Sequence, residues 1–321
     1  MTTPPLELPG RLMFLDSALA SIKAGWGQLP LDPGLAEGLT RPVAPTLVAS
    51  TCFSEAGPSS FAGLLDLLEA SRDTLRCLPR EYQGGWEEQT AVALQAMEQE
   101  AGRQWRARLA LRLQGLYFII DPQVTGGREP LEVAESALLG GARVVQLRDK
   151  LRDKGMILPL ARSLHDLCRK HDALLIVNDH ADVAKLAGAD GLHVGQTDLP
   201  VADARRVLEP WQLLGRSNPS PEYARDSAAQ GADHVAIGPI YPTGTKSTGR
   251  APVGCEPIRR MKQTMQVRVV AIGGINEDNV AAVVEAGADA VCVSSAVGLA
   301  SDPEEAARRL VHRMSEAGAA L

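Results

Sequence analysis

Three kinds of residue in this chain have the types and spacing that phosphate chemistry needs, and each follows a short apolar run. The first is a set of cations, Arg148, Lys150 and Lys246. An arginine holds two phosphate oxygens at once, and a lysine acts as a point charge. A lone cation of this kind pairs as readily with a neighbouring carboxylate such as Asp149 or Asp153. Three converging on one rim point to an anionic ligand. The second is a pair of acids, Asp179 and Asp198. Either could cap the helix that follows it. Beside three cations, the two together suit a hard ion such as Mg²⁺ bridging to substrate phosphate oxygens. The third is Gly273-Gly274-Ile275-Asn276 together with Ser294-Ser295. Backbone N–H groups and hydroxyls there would cradle a phosphate, and glycine would let the backbone come close.

One end of such a site has the charge that a diphosphate leaving group needs, and the other the neutral donors that a monophosphate handle needs. No Ser-His-Asp or Cys-His arrangement stands out. His193 lies within an apolar run and reads as a core histidine; His180, next to Asp179, reads either way. Expulsion of diphosphate followed by capture with a neutral nitrogen requires no strong protein base.

These residues need a scaffold that brings distant segments to one rim, and a repeated phrase supplies it. Gly-Ala followed by a β-branched apolar run occurs at 141–145, 188–192, 231–235 and 287–291, in three cases with Asp after the Ala. Glycine in the left-handed conformation ends a helix, and the apolar run reads as a buried parallel strand. Strands are expected at 116–120, 144–147, 174–177, 191–194, 213–215, 234–237, 267–271 and 290–293. Helices are expected near 130–139, 155–171, 180–187, 200–208, 221–230, 255–264, 277–286 and 303–317. Eight such units in this length predict an α/β fold, a TIM (β/α)8 barrel, whose site lies at the C-terminal ends of the strands. An open doubly wound sheet is the alternative, but no Gly-x-Gly-x-x-Gly follows the first strand.

The segment before the barrel differs. Residues 1–115 are expected to form a mostly helical N-terminal extension or small domain, and residues 116–321 the barrel. Prolines break up the first stretch. One helix is expected from Ser59 to about Arg80, capped by Ser59 or Ser60, and a second from Trp86 to Gln114 through Val92, Leu94, Met97, Trp105, Leu109 and Leu113, after a break at Gly84-Gly85. No catalytic constellation falls here, so packing is the simpler role and partner binding the other.

Composition sets further limits. Of 321 residues, 45% are hydrophobic, enough for a large core, and the net charge of −6 argues against broad nucleic-acid or anionic-membrane binding. The five cysteines are odd in number and widely spaced, with no Cys-x-x-Cys, which predicts free thiols in a reducing cytoplasm. No leader pattern opens the sequence, and no apolar stretch approaches the roughly 20 residues of a membrane helix.

Five motifs in order carry a resemblance to a known family. They are Gln-Leu-Arg-x-Lys (146–150), Asn-Asp (178–179), Asp-Gly-Leu-His-Val-Gly-Gln-x-Asp (190–198), Gly-Pro-Ile-Tyr-Pro-Thr-x-Thr-Lys (238–246) and Ala-Ile-Gly-Gly-Ile (271–275). The chain resembles the thiamine phosphate synthases, within the thiamine phosphate synthase/thiazole tautomerase superfamily, over about residues 115–317. The resemblance implies a transferase that joins hydroxymethylpyrimidine diphosphate to thiazole phosphate, giving thiamine phosphate and diphosphate by a dissociative route. It implies that Gln146, Arg148, Lys150, Asn178, Ser217 and Lys246 hold the pyrimidine diphosphate, with Arg148, Lys150, Lys246 and Ser217 as the catalytic set. It further implies that Asp179 and Asp198 bind Mg²⁺, and that Thr243, Thr245, Gly274, Ser294 and Ser295 hold the thiazole phosphate. Small molecules are then the partners, with no nucleic acid and no membrane, and a homo-oligomer is compatible with this. One departure stands out. The family carries His shortly after the strand-5 serine, whereas here the stretch is Ser217-Asn218-Pro219-Ser220. That missing His weakens the rival reading, a thiazole tautomerase on the same barrel. Retention of the metal and leaving-group residues argues against a non-catalytic phosphate sensor.

Overall fold

The computed structural model describes residues 8–27, 31–32, 34–37, 39, 61–78, 86–244 and 251–320. Two compact units make up the chain, Met1–Trp105 and Arg106–Leu321. Thr245 and Lys246, the helix cap at Ser59 or Ser60, and the Gly84-Gly85 break lie outside the described residues.

The first unit is helical. Its elements are α1 (Leu8–Trp26), the short α2 (Gly34–Glu37), α3 (Phe61–Arg76) and α4 (Trp86–Leu111), the last running on into the second unit. Sequence reading missed α1 because it treated Pro9 as a breaker. In the first turn of a helix proline lacks only an N–H that would have no partner. Leu15, Leu19, Ile22 and Trp26 then form one fully buried stripe at helical spacing. The Trp26 indole donates to the Asp32 carbonyl at 2.7 Å. Arg72 pairs with Glu98, which is only 2% exposed. Val92, expected on the apolar face of α4, is exposed, while Leu94 and Met97 are buried.

The second unit is a closed barrel of eight parallel strands in sequence order. They are β1 (Gly115–Ile120), β2 (Val144–Leu147), β3 (Leu174–Asn178), β4 (Gly191–Val194), β5 (Leu213–Asn218), β6 (His234–Ile237), β7 (Arg268–Ile272) and β8 (Ala290–Val293). Strand β1 pairs with β8 as well as β2, which closes the cylinder and rules out the open sheet. Between and after the strands come α5 (Pro130–Leu139), α6 (Lys154–Lys170), α7 (Ala181–Leu186), α8 (Val201–Val207), α9 (Pro221–Ala229), α10 (Glu256–Thr264), α11 (Val280–Glu285), α12 (Ser295–Gly298) and α13 (Pro303–Glu316). Helices α5, α9 and α13 start on a proline, and Asp302 caps α13 by accepting from the Glu305 N–H at 3.0 Å. The main core lies between strands and helices, with Leu116, Val145, Leu175, Leu192, Leu214, Val235 and Val291 all fully buried. The last turn of α4 belongs to this unit. Arg268 Nε donates to the Ala110 carbonyl at 3.3 Å, and Arg112 to the Asp172 carbonyl at 2.9 Å.

The repeated phrase works as expected at its glycines and adds a function at its aspartates. Gly141, Gly188, Gly231 and Gly287 all have positive φ. Each aspartate reaches to the preceding strand. Asp190 accepts from Leu175 N, Asp233 from Leu214 N and Asp289 from Val269 N, each at 2.8 Å. These contacts latch β4 to β3, β6 to β5 and β8 to β7 at the N-terminal face, where stability rather than catalysis is decided. The second strand's copy carries Arg143 in place of the acid.

Candidate active site

The strand ends open into a cavity of about 170 Å³ at the C-terminal mouth. Of the sequence-predicted residues, Gln146, Arg148, Asn178, Ser217, Thr243, Gly274, Ser294 and Ser295 line it. Lys150 and Asp179 stand on the rim, joined to each other as an ion pair, with Asp198 against Asp179. Barrel order places the β2–β4 residues on one side and the β7–β8 residues across from them.

The charged side is built from cross-strand pairs. Arg148 Nη1 donates to Asp121 Oδ2 at 2.5 Å, and Asp121 is only 3% exposed. Asp121 also accepts from Gln123 N at 3.0 Å. Asp149, one candidate partner for these cations, instead holds Arg152. Neither acid of the predicted metal pair caps a helix. The residue preceding α7 is His180, which makes no side-chain cap, and the residue preceding α8 is Pro200. Asp179 sits at φ 63°, a left-handed conformation unusual outside glycine, with its N–H donated to the His193 carbonyl at 2.8 Å. Asp198 Oδ2 accepts from Gly195 N at 2.7 Å. Burial, and then the neighbouring Asp198, push the Asp179 carboxyl above the usual aspartate range, while Lys150 opposes the shift.

The donor set fits a divalent ion. Among the described residues no group of three or more His, Cys, Asp or Glu could hold a metal alone. Mg²⁺ does not need one, because it keeps several waters and takes substrate oxygens beside one or two carboxylates. The described charges at this end, Arg148 and Lys150 against Asp121, Asp179 and Asp198, leave a net of −1. A diphosphate entering there needs further positive charge.

Among the described residues the opposite side is neutral. Ser294 Oγ is buried beside the cavity without a hydrogen-bond partner. A buried orphan hydroxyl is costly unless a ligand completes it. Gly273 and Gly274, both at positive φ, are needed for a second reason that sequence alone does not reveal. A Cβ on Gly274 would lie 2.4 Å from the Pro242 carbonyl oxygen, and one on Gly273 would lie 2.7 Å from Pro239 Cα. The two glycines therefore seat the loop after β6, which bonds back through Tyr241 N to the Gly273 carbonyl at 2.9 Å.

Several cavity residues escaped sequence reading. His193 is buried and hydrogen-bonded as expected of a core histidine, but it also faces the cavity and bonds Ser217 Oγ through Nε2 at 2.9 Å. Tyr117 OH accepts from Gln146 Nε2 at 2.7 Å and fixes that amide's orientation. The available signal was a polar residue at an inward position of an apolar strand. Asn218, in the stretch where the resembling family carries a His shortly after the serine, accepts from Ser227 Oγ at 2.7 Å and ties the end of β5 to α9.

A closed parallel barrel with a charged and hydroxyl-lined mouth at its C-terminal end defines a (β/α)8-barrel enzyme. Comparison with known proteins narrows the class. The thiamine monophosphate synthase family profile matches residues 116–297. The chain is 44% identical over 195 residues to the thiamine-phosphate synthase of Moorella thermoacetica, covering 61% of this chain and 93% of that protein. It is 41% identical over 202 residues to that of Shouchella clausii, covering 63% and 97%. A solved structure of thiamine phosphate pyrophosphorylase from Pyrococcus furiosus superposes with a TM-score of 0.60 at 33% identity, over 65% of this chain and 99% of that one. The chain belongs to the thiamine monophosphate synthase family.

Proposed function

We propose that the barrel makes thiamine phosphate by transferring the hydroxymethylpyrimidine group from its diphosphate to thiazole phosphate, with release of diphosphate. The observation that carries this reading is the two-sided mouth. Charged groups that a leaving diphosphate needs face, across one cavity, a buried hydroxyl that a phosphate handle would complete.

Gln146, with its amide fixed by Tyr117, and Asn178 hold the pyrimidine end. Arg148, Lys150, Lys246 and Ser217 hold the diphosphate and stabilise the charge that grows on its departing oxygens. Arg148 comes to this task already oriented by Asp121. Asp179 and Asp198 would hold Mg²⁺, which when bound supplies charge neutralisation at the leaving group. Thr243, Thr245, Gly274, Ser294 and Ser295 hold the thiazole phosphate. The largely apolar strand faces below the mouth exclude water from the cationic pyrimidine that forms before the thiazole nitrogen captures it. Among the described residues no helix is long and apolar enough to cross a membrane. The free thiols Cys77, Cys168, Cys255 and Cys292 suit a reducing cytoplasm.

The test is to incubate the purified chain with both substrates and Mg²⁺ and to measure thiamine phosphate. Turnover that needs the metal and falls at least 100-fold in Lys246→Ala is expected. Absence of product from the folded parent protein would overturn the reading.

A further inference from the structure

Three neighbouring strands carry a His-Gly-His row through the barrel interior. His193 on β4 is in register with Gly215 on β5, and Gly215 with His234 on β6. Gly215 makes the row possible, because a Cβ there would come 1.9 Å from His234 Nε2. Across the glycine the two imidazoles stack, with centroids 5.5 Å apart and planes 29° apart. His193 Nδ1 lies 3.3 Å from His234 Nε2, and His193 Nε2 lies 2.9 Å from Ser217 Oγ. His234 is fully buried, and its other nitrogen, Nδ1, has no partner.

Burial first, and then the neighbouring His193, hold His234 well below the usual histidine range, so it is neutral and carries one ring proton. Two proton arrangements satisfy the chain of contacts. In one, His234 Nε2–H donates to His193 Nδ1, and His193 Nε2–H donates to Ser217 Oγ. The serine then keeps its own proton for a ligand. In the other, His234 Nδ1–H is a buried donor with nothing to accept it, and His193 Nδ1–H donates to His234 Nε2. Ser217 Oγ–H then donates to His193 Nε2, leaving only lone pairs for the cavity. A buried orphan N–H is the rarer defect, and lone pairs repel an anion.

We infer that His234, acting through His193, is a positioning residue that makes Ser217 a hydrogen-bond donor toward the anionic substrate. This rests on the proposed function for the identity of that substrate, the pyrimidine diphosphate. Neither imidazole takes a proton from the substrate. The pair sets which way one hydroxyl points, as the orienting partner of a histidine does by fixing its tautomer.

The experiment has two parts. The first is ¹⁵N NMR of the ring nitrogens in the parent protein, with His193 identified by difference from His193→Gln. Protonation of His193 at Nε2 supports the inference, and protonation at Nδ1 overturns it, whether or not the protein turns over. The second is a double-mutant cycle. His234→Leu should lower kcat/KM for the pyrimidine diphosphate about tenfold, the worth of one hydrogen bond to a charged group. His234→Gln, whose amide can donate to His193 Nδ1, should regain most of it. In a Ser217→Ala background His234→Leu should have no further effect, because the interaction it serves is already gone. An equal loss in both backgrounds, or full activity in His234→Leu, would overturn the inference. Failure of the parent protein to make thiamine phosphate would instead count against the proposed function alone.

Discussion

Cutting Arg148 back to methionine should separate its pairing with Asp121 from the diphosphate-binding role proposed for it. Its guanidinium is the main partner of Asp121, a carboxylate 3% exposed whose side chain accepts, among the described residues, only the Gln123 N–H besides. Removing one member of a buried pair typically costs about 3–5 kcal/mol, because the other charge stays buried and unpaired. Arg148 is itself 20% exposed, so water can reach part of the gap, and the low end, about 3 kcal/mol, applies. For a unit of this size each kcal/mol moves the melting temperature by roughly 2–4 °C, so Arg148→Met should melt roughly 6–12 °C below the parent. Losing the charge-assisted contact proposed for the diphosphate should also cut kcat/KM by roughly 10- to 100-fold. The double variant Asp121→Asn/Arg148→Met removes the stranded charge. It should recover most of the melting temperature and none of the turnover. Scanning calorimetry and a product assay on the same preparations decide it. An Arg148→Met protein melting within about 2 °C of the parent, or a double variant that regains turnover, would refute the reasoning.

Two further outcomes follow from other contacts. The Asp179 carboxyl is held above the ordinary aspartate range, so the folded state keeps its proton to higher pH than the unfolded chain does. Stability is therefore lost as pH rises from the unfolded value through the folded one, and Asp179→Asn should melt higher than the parent at neutral pH without Mg²⁺. That advantage should vanish in acid, and the variant should be inactive and insensitive to added Mg²⁺; a lower melting temperature at neutral pH would contradict this. Asp289 accepts from Val269 N at 2.8 Å, Arg268 at 2.7 Å and Lys262 at 2.8 Å. Asp289→Asn should lose about 2 kcal/mol in urea unfolding with kcat unchanged, and a changed kcat would show that the latch reaches the mouth.

The barrel was legible because helix-stopping glycines and buried strands alternate with little interruption, and the predicted strands and the observed ones overlap at all eight positions. The polar rim was legible for the same reason, since a barrel fixes which residues follow each strand end. What stayed hidden depends on pairs distant in sequence. Asp121 and Arg148 meet only because β1 and β2 are neighbours. The His193–His234 contact requires both the barrel register and a glycine between them. A parallel strand buried on both faces also mutes the alternation that would mark His193 as inward. Helix α1 was missed because a proline in a first turn looks the same in sequence as one that ends a helix.

The aspartate latches divide the cylinder into twos. Each joins a strand to the one just before it, so none bridges β4 and β5. A nick in the connection between those strands would leave every latch whole within one of the halves, one from β1–β4 and one from β5–β8. A nick between β5 and β6 would split the Asp233 latch across two pieces. Fragments cut between β4 and β5 would keep all three latches and rejoin through strand pairing together with the contacts that His193 makes with Ser217 and His234.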